Sequence, residues 1–93
     1  MTKRALVNRI AVATGLPKVR VREAVELLLE QLMDTLATEG RIELRNFGVF
    51  RTVEQPAHDG VNPRTGEPMT IEANRHVRFR AGKRLRERLN PSP

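Results

Sequence analysis

GVNPRTGE, residues 60–67, sets one proline between two glycines in the middle of the most irregular segment of this 93-residue chain. Proline at 63 fixes its own φ and pushes Asn62 towards extended geometry, while Gly60 and Gly66 can take the positive φ that a tight reversal needs. The octapeptide predicts a rigid loop tip, and on its own it supports no more than a β-turn. Around it, residues 55–70 contain Pro56, Gly60, Pro63, Gly66 and Pro68 and few apolar side chains. Such a segment cannot be a central strand or part of a core, so it is expected to project.

Before the tip the hydrophobic period changes from helical to alternating. Thr2 is a suitable N-cap for a helix with Leu6, Val7, Ile10, Ala11 and Ala13 on its apolar side, and Gly15 is its expected stop. Leu16 and Pro17 form a corner. A second helix is predicted over residues 18–38, with Val21, Val25, Leu28, Leu29, Leu32, Met33 and Leu36 at helical spacing and Gly40 closing it. Leu27 widens that stripe beyond what one short helix covers. Residues 41–45, RIELR, alternate polar and apolar as a half-buried strand does, and Asn46, Phe47 and Gly48 supply a turn into a strand over 49–53. After the projecting segment, residues 75–79 return as a strand. Residues 81–89 read as a short cationic helix that stops before Pro91.

Seventeen Lys and Arg against eleven Asp and Glu give a formal net charge of +6, which points to a polyanionic partner. Its distribution is uneven. Residues 1–22 carry six cations (Lys3, Arg4, Arg9, Lys18, Arg20 and Arg22) and no acid. Residues 75–88 carry seven (Arg75, Arg78, Arg80, Lys83, Arg84, Arg86 and Arg88) against Glu87 alone. Residues 52–74 carry only Arg64 against Glu54, Asp59, Glu67 and Glu72. Arg20 and Arg22 have Glu23 and Glu26 within helical reach and are assigned no site.

There is no cysteine, and His58 and His76 stand far apart with no thiol or carboxylate cluster to join them, so neither a disulfide nor a metal is the expected stabiliser. Dimerisation is, given a short chain whose only aromatic residues are Phe47, Phe50 and Phe79. No nucleophile, base and orienter set and no phosphate loop is present, which argues against an enzyme. No apolar run suits a bilayer span or a signal peptide, so a cytoplasmic protein without a cofactor is expected.

The order of elements, together with RIELRNFGVF at residues 41–50, GVNPRTGE at 60–67 and VRFRAGKRLRERL at 77–89, resembles the HU and integration host factor family of bacterial histone-like DNA-bending proteins over nearly the whole chain. The resemblance implies an α+β fold in a single domain over residues 1–93 that forms an intertwined dimer. Its parts would be a helical dimerisation base at 1–40, a saddle-like three-stranded sheet at 41–80 with a protruding β-ribbon arm at about 54–73, and a C-terminal helix at 81–90. Phe47, Phe50 and Phe79, with Leu28, Leu29, Leu32, Leu36 and Leu44, would pack the dimer core, in a homodimer or a heterodimer with a paralogue.

The implied function is architectural: binding double-stranded DNA in the minor groove, bending it, and so condensing and organising the nucleoid. Pro63 would wedge between base steps with Asn62 and Arg64 beside it in the groove. Unstacking a step costs on the order of a few kcal/mol for minor-groove architectural proteins, HU and integration host factor among them. Contacts from Lys3, Arg4, Arg80, Lys83, Arg84 and Arg86 to phosphates, with counterion release, would offset it. Arms of this family usually carry cations on the strands that flank the tip. Here Val53, Gln55, His58, Asp59 and Val61 stand at those positions, so binding is expected to lean on the body and C-terminal helix. The alternative is a retained dimerisation or partner-binding module with weakened DNA binding. RIELRNFGVF leans slightly towards the integration host factors, which read deformable sites, rather than towards HU.

Overall fold

The computed structural model describes residues 1–92. Helix α1 (Lys3–Thr14) begins at Thr2, which is extended at φ −123° and whose Oγ1 accepts the Ala5 N–H at 3.1 Å. It ends at Gly15, which is left-handed at φ +71° and donates its N–H to the Ala11 carbonyl at 2.9 Å. Helix α2 (Lys18–Thr38) follows, and Gly40 leaves it at φ +76°. Both helix ends thus use the glycines expected from the sequence, since a left-handed residue costs a side-chain-bearing residue strain that glycine avoids.

One compact unit ends at Thr35 and a second begins at Leu36. In the first, Val7 and Val21 are buried, whereas Leu28 stays 54% exposed and Leu6, Ile10, Leu27, Leu29 and Met33 are exposed as well. The second holds β1 (Arg41–Leu44), β2 (Gly48–Gln55), β3 (His58–Val61), β4 (Pro68–Ile71), β5 (Asn74–Ala81) and α3 (Lys83–Leu89). Strands β1, β2 and β5 make an antiparallel sheet in that order, and β3 pairs with β4 alone as a separate ribbon.

Because side chains alternate across a strand, the register sorts the three-stranded sheet into two unlike faces. Ile42, Phe50 and Phe79 stand in one row on one face, and Arg41, Arg51 and Arg78 stand in the neighbouring row on the other. On the apolar face the ring centroids of Phe50 and Phe79 lie 4.6 Å apart, and Phe47 lies 5.4 Å from Phe79.

Four boundaries differ from the sequence reading, and the first is that of β2, which runs from Gly48 to Gln55 rather than over 49–53. Strand β5 runs from Asn74 to Ala81, beyond the expected 75–79, because its full length pairs with β2, from Gln55–Asn74 to Gly48–Ala81. That pairing leaves Ala81 in the sheet, so α3 starts at Lys83 after an extended Gly82 rather than at 81. Arg45 leaves β1 for the turn, in which Asn46 takes φ +67° and the Phe47 N–H reaches the Leu44 carbonyl. The segment expected to project contains the two-stranded hairpin that the resemblance implied: Pro56 and Pro63 fall outside its strands, and Pro68 takes the first position of β4.

Gly48 sets the sheet and α3 in place. A Cβ there would sit 2.5 Å from the Arg80 carbonyl oxygen and 2.5 Å from the Phe79 ring. Beside it the Gly82 N–H donates to the Phe47 carbonyl at 2.8 Å, which ties the N-terminus of α3 to the β1–β2 turn. Gly48→Ala is expected to destabilise by about 1–3 kcal/mol through overpacking against an immovable backbone atom, read as a lower denaturation midpoint with an unchanged m-value.

Candidate nucleic-acid interface

The arm is the β3–β4 hairpin, joined to the sheet beyond the last β2–β5 pair, Gln55 with Asn74. Its apex is a closed loop: the Asn62 N–H donates to the Glu67 carbonyl at 2.8 Å and the Gly66 N–H to the Asn62 carbonyl at 2.7 Å. Within it the Asn62 Oδ1 accepts the Arg64 N–H at 2.9 Å, an Asx turn that spans Pro63. Asn62 is therefore committed in part to shaping the tip, whereas Arg64 is exposed beside the proline ring.

Gly66 uses its positive φ, +71°, as expected. Gly60 does not. It lies inside β3, where the Ile71 side chain packs over it, so that a Cβ would come within 2.6 Å of the Ile71 Cδ1 and that side chain would have to shift. The arm's strands present Asp59, Val61, Met69 and Thr70 where cations would grip a phosphate backbone, and Val61 is 63% exposed.

The body carries the charge the arm lacks. Arg41 and Arg51 face each other across β1–β2, and Arg51 and Arg78 across β2–β5, with Arg80 one row along opposite Val49. These four line one open cleft of about 320 Å³ with Val49 and Phe79. Arg45, Arg84 and Arg88 meet around a second cleft of about 400 Å³ floored by Phe47 and Leu85. Lys3 and Arg4 share a third, of about 450 Å³, with Lys18 and Arg22.

Of the cations named from the sequence, the structure thus brings Arg80 into the sheet row, Arg84 into the α3 cleft, and Lys3 and Arg4 into the helical cleft. Lys3 lies 3.5 Å from Glu26, and Lys83 lies 4.0 Å from Glu87, both exposed pairs of the sort worth about 0.2–1 kcal/mol. Arg80, Arg84 and Arg86 form no ion pair among the described residues. Arg20 does pair with Glu23, at 3.9 Å.

Sequence reasoning passed over Arg41, Arg45 and Arg51, and it counted Arg78 and Arg88 only within the cationic block at 75–88. Alternation was the available signal, since in 74–81 every second residue from Asn74 shares a face, which places Arg78 and Arg80 together; the Arg41–Arg51–Arg78 row needed the register itself. Among the described residues no group of carboxylates, histidines or thiols is placed to hold a metal. No helix among the described residues is long and apolar enough to cross a membrane.

A proline-tipped ribbon and an arginine-lined sheet face define a class of nucleic-acid-binding protein, and comparison with known proteins gives the family. Residues 1–90 match the model for the bacterial DNA-binding protein family, and the chain belongs to that family, the one that includes HU and integration host factor. It is 43% identical to the integration host factor subunit beta of Halorhodospira halophila, over 99% of this chain and 91% of that protein. The same subunit of Alkalilimnicola ehrlichii is also 43% identical, over 97% of this chain and 91% of the relative. Among solved structures, Anabaena HU crystallised with DNA superposes with a TM-score of 0.91 at 33% identity, covering 99% of this chain and all of that one.

The arginine row repels itself: Glu43 lies 3.5 Å from Arg41 at one end of it, but like charges directly opposite across strands destabilise a sheet. Arg51 has one such neighbour on each side. Arg51→Gln is expected to stabilise the unliganded protein by about 0.2–1 kcal/mol at low salt and to lose that gain at high salt, where the repulsion is screened. Urea denaturation at the two ionic strengths reads it.

Proposed function

We propose that this chain is an architectural double-stranded DNA-binding protein that acts as a dimer, lays its two arms in the minor groove and bends the duplex, and so helps to organise the nucleoid in the cytoplasm. The observation that carries this reading is Pro63 at the apex of a closed, Asx-turned loop on a two-stranded ribbon. An uncharged ring at that place can enter an opened base step without bringing a charge into the stack. Arg64 and Asn62 are the groove contacts beside it. The likeness to HU in complex with DNA supports the arm's use, and the relatives' name, subunit beta, supports pairing with a second, related chain.

Dimerisation follows from what the single chain leaves uncovered. Leu28, Leu29, Phe47 and Phe79 are all 40% exposed or more, and Phe50, Leu32, Leu36 and Leu44 are half-buried. A partner chain that covers these eight residues makes them one core.

With few cations on the arm, the affinity comes from the body. The sheet row Arg41, Arg51, Arg78 and Arg80 and the α3 cations Lys83, Arg84 and Arg86, with Lys3 and Arg4, meet phosphates of flanking DNA as the bend brings it in. Pro63→Ala is expected to retain a mobility shift and to lose bending, measured by end-to-end energy transfer at saturating protein. Replacing Arg80, Lys83 and Arg84 together by Gln is expected to weaken binding and to lower the magnitude of the salt slope by about 1 for each cation that meets a phosphate. No shift at any ionic strength would replace this reading by that of a partner-binding module. Unaltered bending by Pro63→Ala would remove the wedge from it.

A further inference from the structure

The cationic block at 75–88 does not all face one way. Arg78 and Arg80 lie on the arginine face of the sheet, but Arg75 is in step with Val77 and Phe79 on the opposite face. Its guanidinium, on an exposed residue, reaches the end of α2: Nη2 donates to the Ala37 carbonyl at 3.0 Å and reaches the Leu36 carbonyl at 3.5 Å. The Leu36 carbonyl also accepts the Thr52 hydroxyl at 2.9 Å, and the Thr52 N–H donates to the Gly40 carbonyl at 2.9 Å. Thr52 lies on β2 opposite Val77, two residue pairs inward from the Glu54–Arg75 pair and on the same face. Both strands that carry the arm are therefore fastened to one helix end, just inside the last pair before the arm leaves the sheet.

The chemistry suits a latch. The last turn of a helix presents carbonyls without intrahelical partners and carries a partial negative charge. Helix α2 has no basic residue of its own in that turn. A forked, permanently charged guanidinium from β5 supplies both the donors and the cation. Among the described residues it makes no ion pair with Glu54, its neighbour across the ladder.

We propose that Arg75 is a positioning residue for the arm and not a DNA contact: with Thr52 it clamps the arm's root to the C-terminus of α2, so that the tip transmits its force to the DNA instead of swinging about the root. This rests on the bending function proposed above. A wedge bends a duplex only if its mount resists the return force. The last pair, Gln55 with Asn74, is followed at once by Pro56 on one strand and by Glu72 and Ala73, outside any strand, on the other, so the ladder ends there and the latch is the nearest tie.

The experiment compares wild type, Arg75→Met, Arg75→Lys and Thr52→Val as full chains on one labelled duplex, reading bend by energy transfer at saturating protein and affinity by anisotropy over a salt series. The expected result is a smaller and broader bend for Arg75→Met and Thr52→Val, partial recovery with Arg75→Lys, and a salt slope within error of wild type for all three. Thr52→Val removes no charge, so a reduced bend in that variant cannot come from a lost phosphate contact. A salt slope lowered by about 1 for each Arg75 with the bend intact would make Arg75 a phosphate ligand and overturn the proposal. Unchanged bend and unchanged slope in both Arg75→Met and Thr52→Val would overturn it too. A wild-type protein that binds without bending would instead sink the function on which it rests, and the two failures are therefore distinct.

Discussion

Burial of apolar surface is what this chain lacks, and the shape of the rest follows from that shortage. Among the described residues only Val7 and Val21 are buried apolar side chains. The helical stripe of α2 and the phenylalanine face of the sheet are built with the periodicity of a core yet remain substantially open to water. Hydrophobic burial is the dominant favourable term in folding, and a short chain without disulfide or metal has no substitute for it. A second chain that covers these faces completes the core under the function proposed here. It also fixes the number of arms at two, each on its own sheet, which a bending device needs.

Charge is placed with the same division of labour. The face of the sheet opposite the phenylalanines concentrates arginines in a row that repels itself, while the arm stays nearly neutral or acidic along its strands. An arm of that kind gives up electrostatic attraction to the groove and keeps shape: a closed tip, an Asx turn, and Ile71 packed over Gly60. Under the function proposed above, affinity and bending fall to different residues. Association should be governed by the body and by salt, and distortion by the tip and by how firmly its root is held.

Much of this was legible in the residues alone. Thr2, Gly15 and Gly40 mark helix ends by capping chemistry that acts within a few residues, and local chemistry is what a sequence displays most directly. The 3.6-residue period of α2 and the alternation in RIELR were likewise visible, as was the rigid tip at GVNPRTGE. Strand length was less so. Ala81 and Gly82 read as helix because they precede a cationic run, but pairing with Gly48 holds Ala81 in the sheet, and pairing is a non-local fact. Gly60 was read as a turn glycine, whereas it lies within β3 with the Ile71 side chain packed over it.

At the site, the tip residues were legible because proline and glycine restrict the backbone by themselves. The Arg41–Arg51–Arg78 row was not, since three arginines spread over 38 positions become neighbours only through register. Arg75 was read only as one of seven cations in the basic block at 75–88, and strand parity and the end of α2 show where it points.

The most direct test of this account is the dependence of thermal unfolding on chain concentration, followed alongside molar mass by sedimentation. If the exposed stripe and the phenylalanine face form one core only between two chains, folding and association are a single transition. The mass should then be twice that of the chain, and the unfolding midpoint should rise as the chain concentration is raised. A folded species with the mass of one chain, and a midpoint that does not move with concentration, would contradict it.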